Sequence, residues 1–401
     1  MKYNFDEVID RRNTNSMKVS GFREYLYPDA KEEIKFNYPD EELVMMWIAD
    51  MEFALPQVII DKMKERLDHR IFGYSKVFDD GYYLAFKNWC ENKFGWSCRP
   101  EQLFSSQGVI PALYELVELL CQEDEKALTL TPGYSFYEHA TNRNNCGLVC
   151  SALIKESDGT FKIDFVDFEK KAQDPKVSVL LFSNPHNPNG IVWTEAELKQ
   201  IVEIAQANDL WVISDEIHCN LLRCGKKHIP TAKVADGYDK IITCMSPSKT
   251  FNTAGLMMSN IVIQNEQFSE VYKKHHYPFE NPISIAAVKA AYEYGDEWLD
   301  QLKVYLDDNF AYLKKFLAER LPKAIFTIPE ATYLAWVDFS AYFEKDLDLT
   351  LWFANEAGVL LESSAHFIQD GDGFVRLNLA CPRSTLVDCL KKIEKAINEN
   401  V

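Results

Sequence analysis

No run of apolar residues in this chain approaches the ~18 needed to cross a bilayer as a helix. The opening segment, Met1-Lys2-Tyr3-Asn4-Phe5-Asp6-Glu7, lacks the apolar core of a signal peptide. A membrane protein is not expected, and a cytoplasmic one is. Basic side chains are in short supply: 43 Lys and Arg stand against 61 Asp and Glu, a formal net charge of −18. A field of that sign repels phosphate backbones and anionic lipid, which argues against nucleic-acid and membrane partners. It says little about a small substrate, whose site is governed by local charge. Ten cysteines are scattered along the chain without one Cys-x-x-Cys pair, and a cytosolic chain keeps its thiols reduced. His186 has no carboxylate or cysteine at ligand spacing, so no metal site is expected. There is no internal repeat and no low-complexity linker.

What the chain does have is apolar material. Hydrophobic residues make up 47% of its 401 positions and aromatics 13%, enough for a large core and more than one domain. Short runs rich in β-formers, at 127–131, 177–183, 210–214, 241–245 and 260–263, alternate with amphipathic stretches. The clearest of these, 194–207, places Leu198, Ile201, Val202 and Ala205 on one face, and Thr194 with Glu197 forms a capping-box pattern at its start. Alternation of this kind predicts an α/β fold with a mainly parallel sheet buried on both faces. From about residue 290 the pattern changes to long helix (298–321) and then β-rich runs at 333–339 and 374–380, which suggests a second, α+β domain. The expected division is 1–45 as an N-terminal arm or lid belonging to the small domain, 46–288 as the large domain, and 289–401 as the C-terminal small domain.

Lys249 follows the apolar run 241–245, an odd place for a lysine, whose ammonium is rarely buried unpaired. A lysine in such a site has its pKa lowered and becomes a usable amine nucleophile. A second run, 210–214, leads directly into Asp215, so an amine and an acid would face each other at the mouth of a parallel sheet. That pairing suggests a Schiff-base enzyme, in which the lysine holds an aldehyde cofactor and the aspartate holds its ring nitrogen. Each residue also has a structural reading: Lys249 as a solvated lysine past a strand end, Asp215 as a helix N-cap. His218 could hydrogen-bond near the cofactor's ring oxygen or serve as a satisfied structural histidine. Cys219, beside it, reads as a small buried apolar residue.

Four further stretches sit where such a site needs them. Gly108 precedes an apolar helix pattern, where a glycine turn lets backbone N–H groups face an anion, and Ser246 could donate to a phosphate. The loop 183–190 carries two Asn-Pro steps; it is an ordinary turn, or a device that aims Asn187 at a phenolic oxygen. Tyr134 could stack on a flat ring or be one of many core aromatics. Arg376, inside the apolar run 373–380, needs an anionic partner: the carboxylate of an amino-acid substrate or a structural salt bridge.

Assembled, these residues resemble the fold-type I pyridoxal-phosphate enzymes of the aspartate aminotransferase superfamily, over nearly the whole chain. Ser-Pro-Ser-Lys-Thr-Phe-Asn (246–252), Ser-Asp-Glu-Ile-His (214–218) and Pro-His-Asn-Pro (185–188) together are similar to the MalY/PatB branch, which holds cystathionine β-lyases and cystalysin. The resemblance implies a large domain with a mainly parallel seven-stranded sheet between helices, and pyridoxal 5'-phosphate joined to Lys249. It implies that Asp215 pairs with the pyridine nitrogen, Asn187 contacts the ring oxygen and Tyr134 stacks on the ring. Gly108, Val109, Ile110 and Ser246 would hold the phosphate, Arg376 would clamp the substrate carboxylate, and Tyr74 would reach the partner subunit's phosphate in a homodimer. The implied activity is a carbon–sulfur β-lyase acting on L-cystathionine or cysteine S-conjugates. The alternatives are an amino-acid aminotransferase or a MalY-like regulator with residual lyase activity. Departures from the family pattern stand at Met257, where many aminotransferases have a phosphate-binding arginine, at Lys18-Val19-Ser20, at Ser135, and at Glu362-Ser363-Ser364-Ala365-His366. They are expected in substrate-facing loops.

Overall fold

The computed structural model describes residues 2–28, 34–223, 225–277 and 279–401. Seven of its strands form one sheet: β1 (Leu103–Ser106), β2 (Lys126–Thr131), β3 (Gly147–Ala152), β4 (Val177–Ser183), β5 (Trp211–Asp215), β6 (Ile241–Met245) and β7 (Ser259–Ile263). Their spatial order is β1-β7-β6-β5-β4-β2-β3. β7 alone runs against its neighbours β6 and β1, and the pairs β6–β5, β5–β4, β4–β2 and β2–β3 are parallel. All of β6 and β7 is buried, which is why these strands read as continuous apolar runs rather than alternating ones. The sheet matches the expected α/β, mainly parallel, seven-stranded class.

The amphipathic stretch after β4 forms a helix, Glu195–Ala207, with the anticipated capping box: Thr194 Oγ1 accepts from the Glu197 N–H at 3.2 Å, and Glu197 Oε2 accepts from the Thr194 N–H at 2.8 Å. Leu198, Ile201, Val202 and Ala205 are all buried.

A second, three-stranded antiparallel sheet is built from β8 (Leu334–Asp338), β9 (Glu362–Ser363) and β10 (Phe374–Asn378), with β10 in the middle. The long helix Asp296–Arg320 serves two cores: Trp298, Leu299, Leu302 and Leu306 pack with the large sheet's residues, while Phe310, Leu313 and Leu317 pack with the second unit. The handover between cores therefore falls inside a helix.

The first 45 residues are more deeply packed than a polar arm or lid would be. Phe22, Leu26 and Leu43 share a small core with Trp47, Ala354 and Leu360, and Val44–Met45 pairs in parallel with Val359–Leu360. Phe5 instead joins the large core, against Phe53, Trp298 and Tyr305 at centroid separations of 5.1, 5.6 and 5.5 Å. The scattered aromatics of the arm carry this packing, which is why its polar composition misleads.

Candidate active site

The large parallel sheet positions the site by its strand ends. The loops after β1, β2, β4, β5 and β6 all leave the carboxyl edge, where ligands bind in open α/β sheets. They enclose a cavity of about 420 Å³, within the usual range for small-ligand sites. Gly108, Val109 and Ile110 line it from the β1 loop, Tyr134 from the β2 loop and Asn187 from the β4 loop. Asp215 and His218 line it from the end of β5, and Ser246 and Lys249 from the loop after β6. Arg376, from the middle strand of the second sheet, completes it.

Burial sets the charges. Desolvation lowers the Lys249 pKa, and the nearby Arg376 lowers it further, against the opposing fields of Asp50 and Asp215. Lys249 Nζ donates to the Ala49 carbonyl at 2.8 Å, and the Tyr333 hydroxyl donates to the same oxygen at 2.8 Å. Desolvation pushes Asp215 up to about 6. Its carboxylate has only long hydrogen bonds, from the Ile217 N–H at 3.2 Å and the Tyr137 hydroxyl at 3.4 Å, so a buried acceptor stands ready for a stronger donor. His218 is fully enclosed, with Nδ1 unpartnered, and burial beside Lys249 and Arg376 keeps its imidazole neutral.

Arg376 has two partners: Nη1 donates to Asn187 Oδ1 at 2.9 Å and Nη2 to the Glu362 carboxylate, while Nε has none. With Oδ1 so engaged, the amide donor is what Asn187 has left to offer a ring oxygen. Phe367 lies under the guanidinium at 4.9 Å, and its backbone pairs with that of Tyr134. One short strand contact thus ties Arg376 to the aromatic wall.

The family model for aminotransferase class I and II matches residues 48–393. The chain belongs to that family. It is 36% identical to the cystathionine beta-lyase PatB of Bacillus subtilis, over 98% of this chain and 100% of the relative. A PLP-bound C-S lyase from Staphylococcus hominis superposes with a TM-score of 0.95 at 46% identity, covering 99% of this chain and 98% of that one. Cystalysin from Treponema denticola, whose structure contains pyridoxal 5'-phosphate, gives a TM-score of 0.92 at 30% identity with full coverage of both chains. The MalY/PatB resemblance read from the motifs is thus a family relationship.

The residues present fit that family's cofactor. The helix Val109–Leu120 begins at the cavity, and its first internal bond runs from the Ala112 N–H to the Gly108 carbonyl. The N–H groups of Val109 and Ile110 precede that bond, and donors of this kind at a helix N-terminus suit a phosphate. The under-hydrogen-bonded Asp215 suits a ring N–H, and the desolvated Lys249 amine suits an aldehyde carbon.

Several expectations need correction. Gly108 has extended backbone, φ 162° and ψ 167°, so no glycine-only turn is required there. Ser246 already donates to the Met258 carbonyl at 3.1 Å and must rotate to donate to a phosphate. Tyr74, which was expected at the partner's site and not at its own, is 94% exposed and does not line this chain's cavity. Val19, Ser20, Ser135, Ser363 and Ser364 do not line it either. Ser363, for example, is buried against Thr350 at 2.9 Å. Of the departures, only Glu362 and Met257 face the cavity. Cys219 is buried and not among the lining residues; Cys224 lies outside the described residues.

Sequence reasoning missed Tyr25, Phe136 and Ile217, which line the cavity, along with the carbonyl of Ala49. The arm's aromatics were a weak signal for Tyr25; a backbone carbonyl gives none. Glu362 was visible as an acid ending the apolar run 359–361, and its register opposite Arg376 was not.

Proposed function

We propose that this protein is a pyridoxal 5'-phosphate-dependent carbon–sulfur β-lyase. It would act on L-cystathionine or cysteine S-conjugates to give pyruvate, ammonia and a thiol. The observation that carries the reading is the meeting of a desolvated Lys249 amine, a buried Asp215 and Arg376 in one cavity at the strand ends. The likeness to PatB and to the C-S lyase supports lyase chemistry over transamination.

The bound cofactor supplies an electron sink for the pair left at the substrate's Cα when its proton departs. The chain does the rest. Arg376 holds the substrate α-carboxylate and fixes which Cα bond is presented. Lys249, poised as an amine by burial, takes the Cα proton at Nζ. Asp215 would keep a proton on the cofactor nitrogen, Asn187 would donate to the ring oxygen, and Tyr134 would supply an aromatic face for the ring. The N–H groups of Val109 and Ile110 hold the phosphate, with Ser246 beside them. The sulfur would leave Cβ as thiolate into the cavity, whose lining also includes Tyr25, Phe136 and Met257.

We further propose a homodimer in which Tyr74 reaches the partner's phosphate. Tyr74, Tyr277 and Phe279 are exposed aromatics in contact, Tyr74 and Tyr277 each 5.1 Å from Phe279; a solvent-facing cluster of this kind marks an interaction surface. A cytoplasmic location fits the free thiols of the nine described cysteines. The deciding assay is pyruvate release from L-cystathionine or S-ethyl-L-cysteine without added keto acid. Steady release is expected; amino transfer only in the presence of a keto acid would make the protein an aminotransferase instead.

A further inference from the structure

Arg376 is the cavity's carboxylate receptor, yet it is already paired with an acid. Glu362 and Arg376 are direct register partners on neighbouring antiparallel strands, so their side chains leave the sheet on the same face, side by side. Both are 3% exposed. Glu362 lines the cavity, and its charge acts on Lys249, Tyr25 and Tyr134. Strand register fixes its backbone opposite Arg376, which keeps the carboxylate within one side chain's reach of the guanidinium. Arg376 still lines the cavity beside Glu362, and its buried Nε has no hydrogen-bond partner among the described residues, so donor capacity remains for a second carboxylate.

The cavity then holds no spare positive charge for the sulfur substituent. With cofactor and substrate bound, Lys249 would be a neutral amine, Asp215 would face the ring nitrogen, and the cofactor's phosphate would add negative charge. Arg376 faces Glu362, and the incoming α-carboxylate adds a further negative charge. No lysine, arginine or histidine of this chain other than Lys249, Arg376 and the neutral His218 lines the cavity among the described residues. Met257 stands where many aminotransferases carry an arginine. A round cavity of about 420 Å³ is roughly 9 Å across, about one Debye length at physiological salt. Any charge on the sulfur substituent therefore lies within reach of Glu362, whose one cationic partner, Arg376, is shared with the α-carboxylate.

We propose that Glu362 is a specificity-determining residue, which makes the pocket prefer cysteine conjugates with a cationic or neutral sulfur substituent and disfavour anionic ones. This rests on the lyase reading for the substrate class and deepens it.

The test uses the holoenzyme and three probes of similar size: S-(2-aminoethyl)-, S-(2-hydroxyethyl)- and S-(carboxymethyl)-L-cysteine. Affinities are read from the change in cofactor absorbance on binding, which does not require the carbon–sulfur bond to break. The wild-type protein is expected to bind the aminoethyl conjugate about tenfold more tightly than the carboxymethyl one, like charges at close quarters being strongly unfavourable. Glu362→Gln should shrink that ratio to within about threefold, and Glu362→Asp should retain it. The ratio is the readout, because freeing Arg376 raises affinity for every α-carboxylate alike. A wild-type ratio near one, or a ratio unchanged in a Glu362→Gln protein that still binds cofactor, overturns the proposal. Should that variant fail to fold, Glu362→Asp and Glu362→Asn replace it as a charged and a neutral side chain of equal length; equal ratios in the two overturn the proposal equally. Binding of the conjugates without pyruvate release would sink the lyase reading and leave this one standing.

Discussion

Asp215 is held protonated to higher pH by burial, even against the field of Lys249. Its pKa rises from the ordinary 3.8 to about 6 because burial disfavours the charged form. In the unfolded chain it ionises near 3.8. Below that pH both states are protonated and nothing is lost; as pH rises through 6 the folded state must ionise a desolvated acid that the unfolded chain ionised already. Cofactor-free protein is therefore expected to lose about 3 kcal/mol of stability between pH 4 and 7 from this residue. Urea unfolding of wild type and Asp215→Asn at the two pH values isolates it: the asparagine variant should lack that share of the loss. Bound cofactor should abolish the difference in slope, since the ring N–H supplies the missing donor. At Lys249, replacement by Ala should cut turnover at least about 10³-fold. Borohydride reduction followed by peptide mass analysis should then find no cofactor on position 249. Both residues were legible because a charge at the end of an apolar run is conspicuous. Tyr137 and the Ala49 carbonyl, which complete their environment, were not. The first looks like any core aromatic, and the second has no side chain to read.

Among elements, the loop after β4 shows how much a turn contributes to a site. Gly190 has φ +70°, and a Cβ there would lie 2.6 Å from the Pro329 side chain and 2.7 Å from the Ala331 carbonyl. The Gly190 N–H donates to the His186 carbonyl and its own carbonyl accepts from the Ala331 N–H, at 2.8 and 2.9 Å. Gly190→Ala is expected to destabilise the fold by more than about 1 kcal/mol, since left-handed backbone and a steric clash both oppose the methyl group. Because Asn187 lies three residues away, cofactor affinity should fall too. A thermal melt with and without pyridoxal phosphate separates the two effects: the ligand-induced rise should be smaller in the variant. The strand ends that carry the site residues, and the capped helix after β4, could be read from the sequence because each is local, a run of β-formers or a capping pair. Register is not local. Nothing in the run 359–363 announces that Glu362 meets Arg376 across a sheet whose strands are about a dozen residues apart in the chain. The segment 48–53 is likewise held by distant side chains, Asn252 on the Met51 backbone and Asn378 on the Ile48 carbonyl.

For the whole molecule, the open question is whether one chain makes a whole site. Tyr74 is the one residue of the resemblance that this chain's cavity does not contain. No periodicity could place it, because a contact across a subunit boundary leaves no pattern in either copy. If Tyr74 acts on the partner, each site combines one chain's Lys249 with the other chain's Tyr74. Lys249→Ala and Tyr74→Ala homodimers should then both be weak. Subunits exchanged between them should form mixed dimers with one doubly damaged site and one intact site. Random exchange of equal amounts puts half the dimers in that mixed form, so about a quarter of all sites should be wild type. Activity should rise on mixing toward about a quarter of the wild-type value, as subunits exchange. If Tyr74 instead serves its own chain's site, every Lys249-bearing site keeps its damaged tyrosine, and the mixture should do no better than the average of its parts.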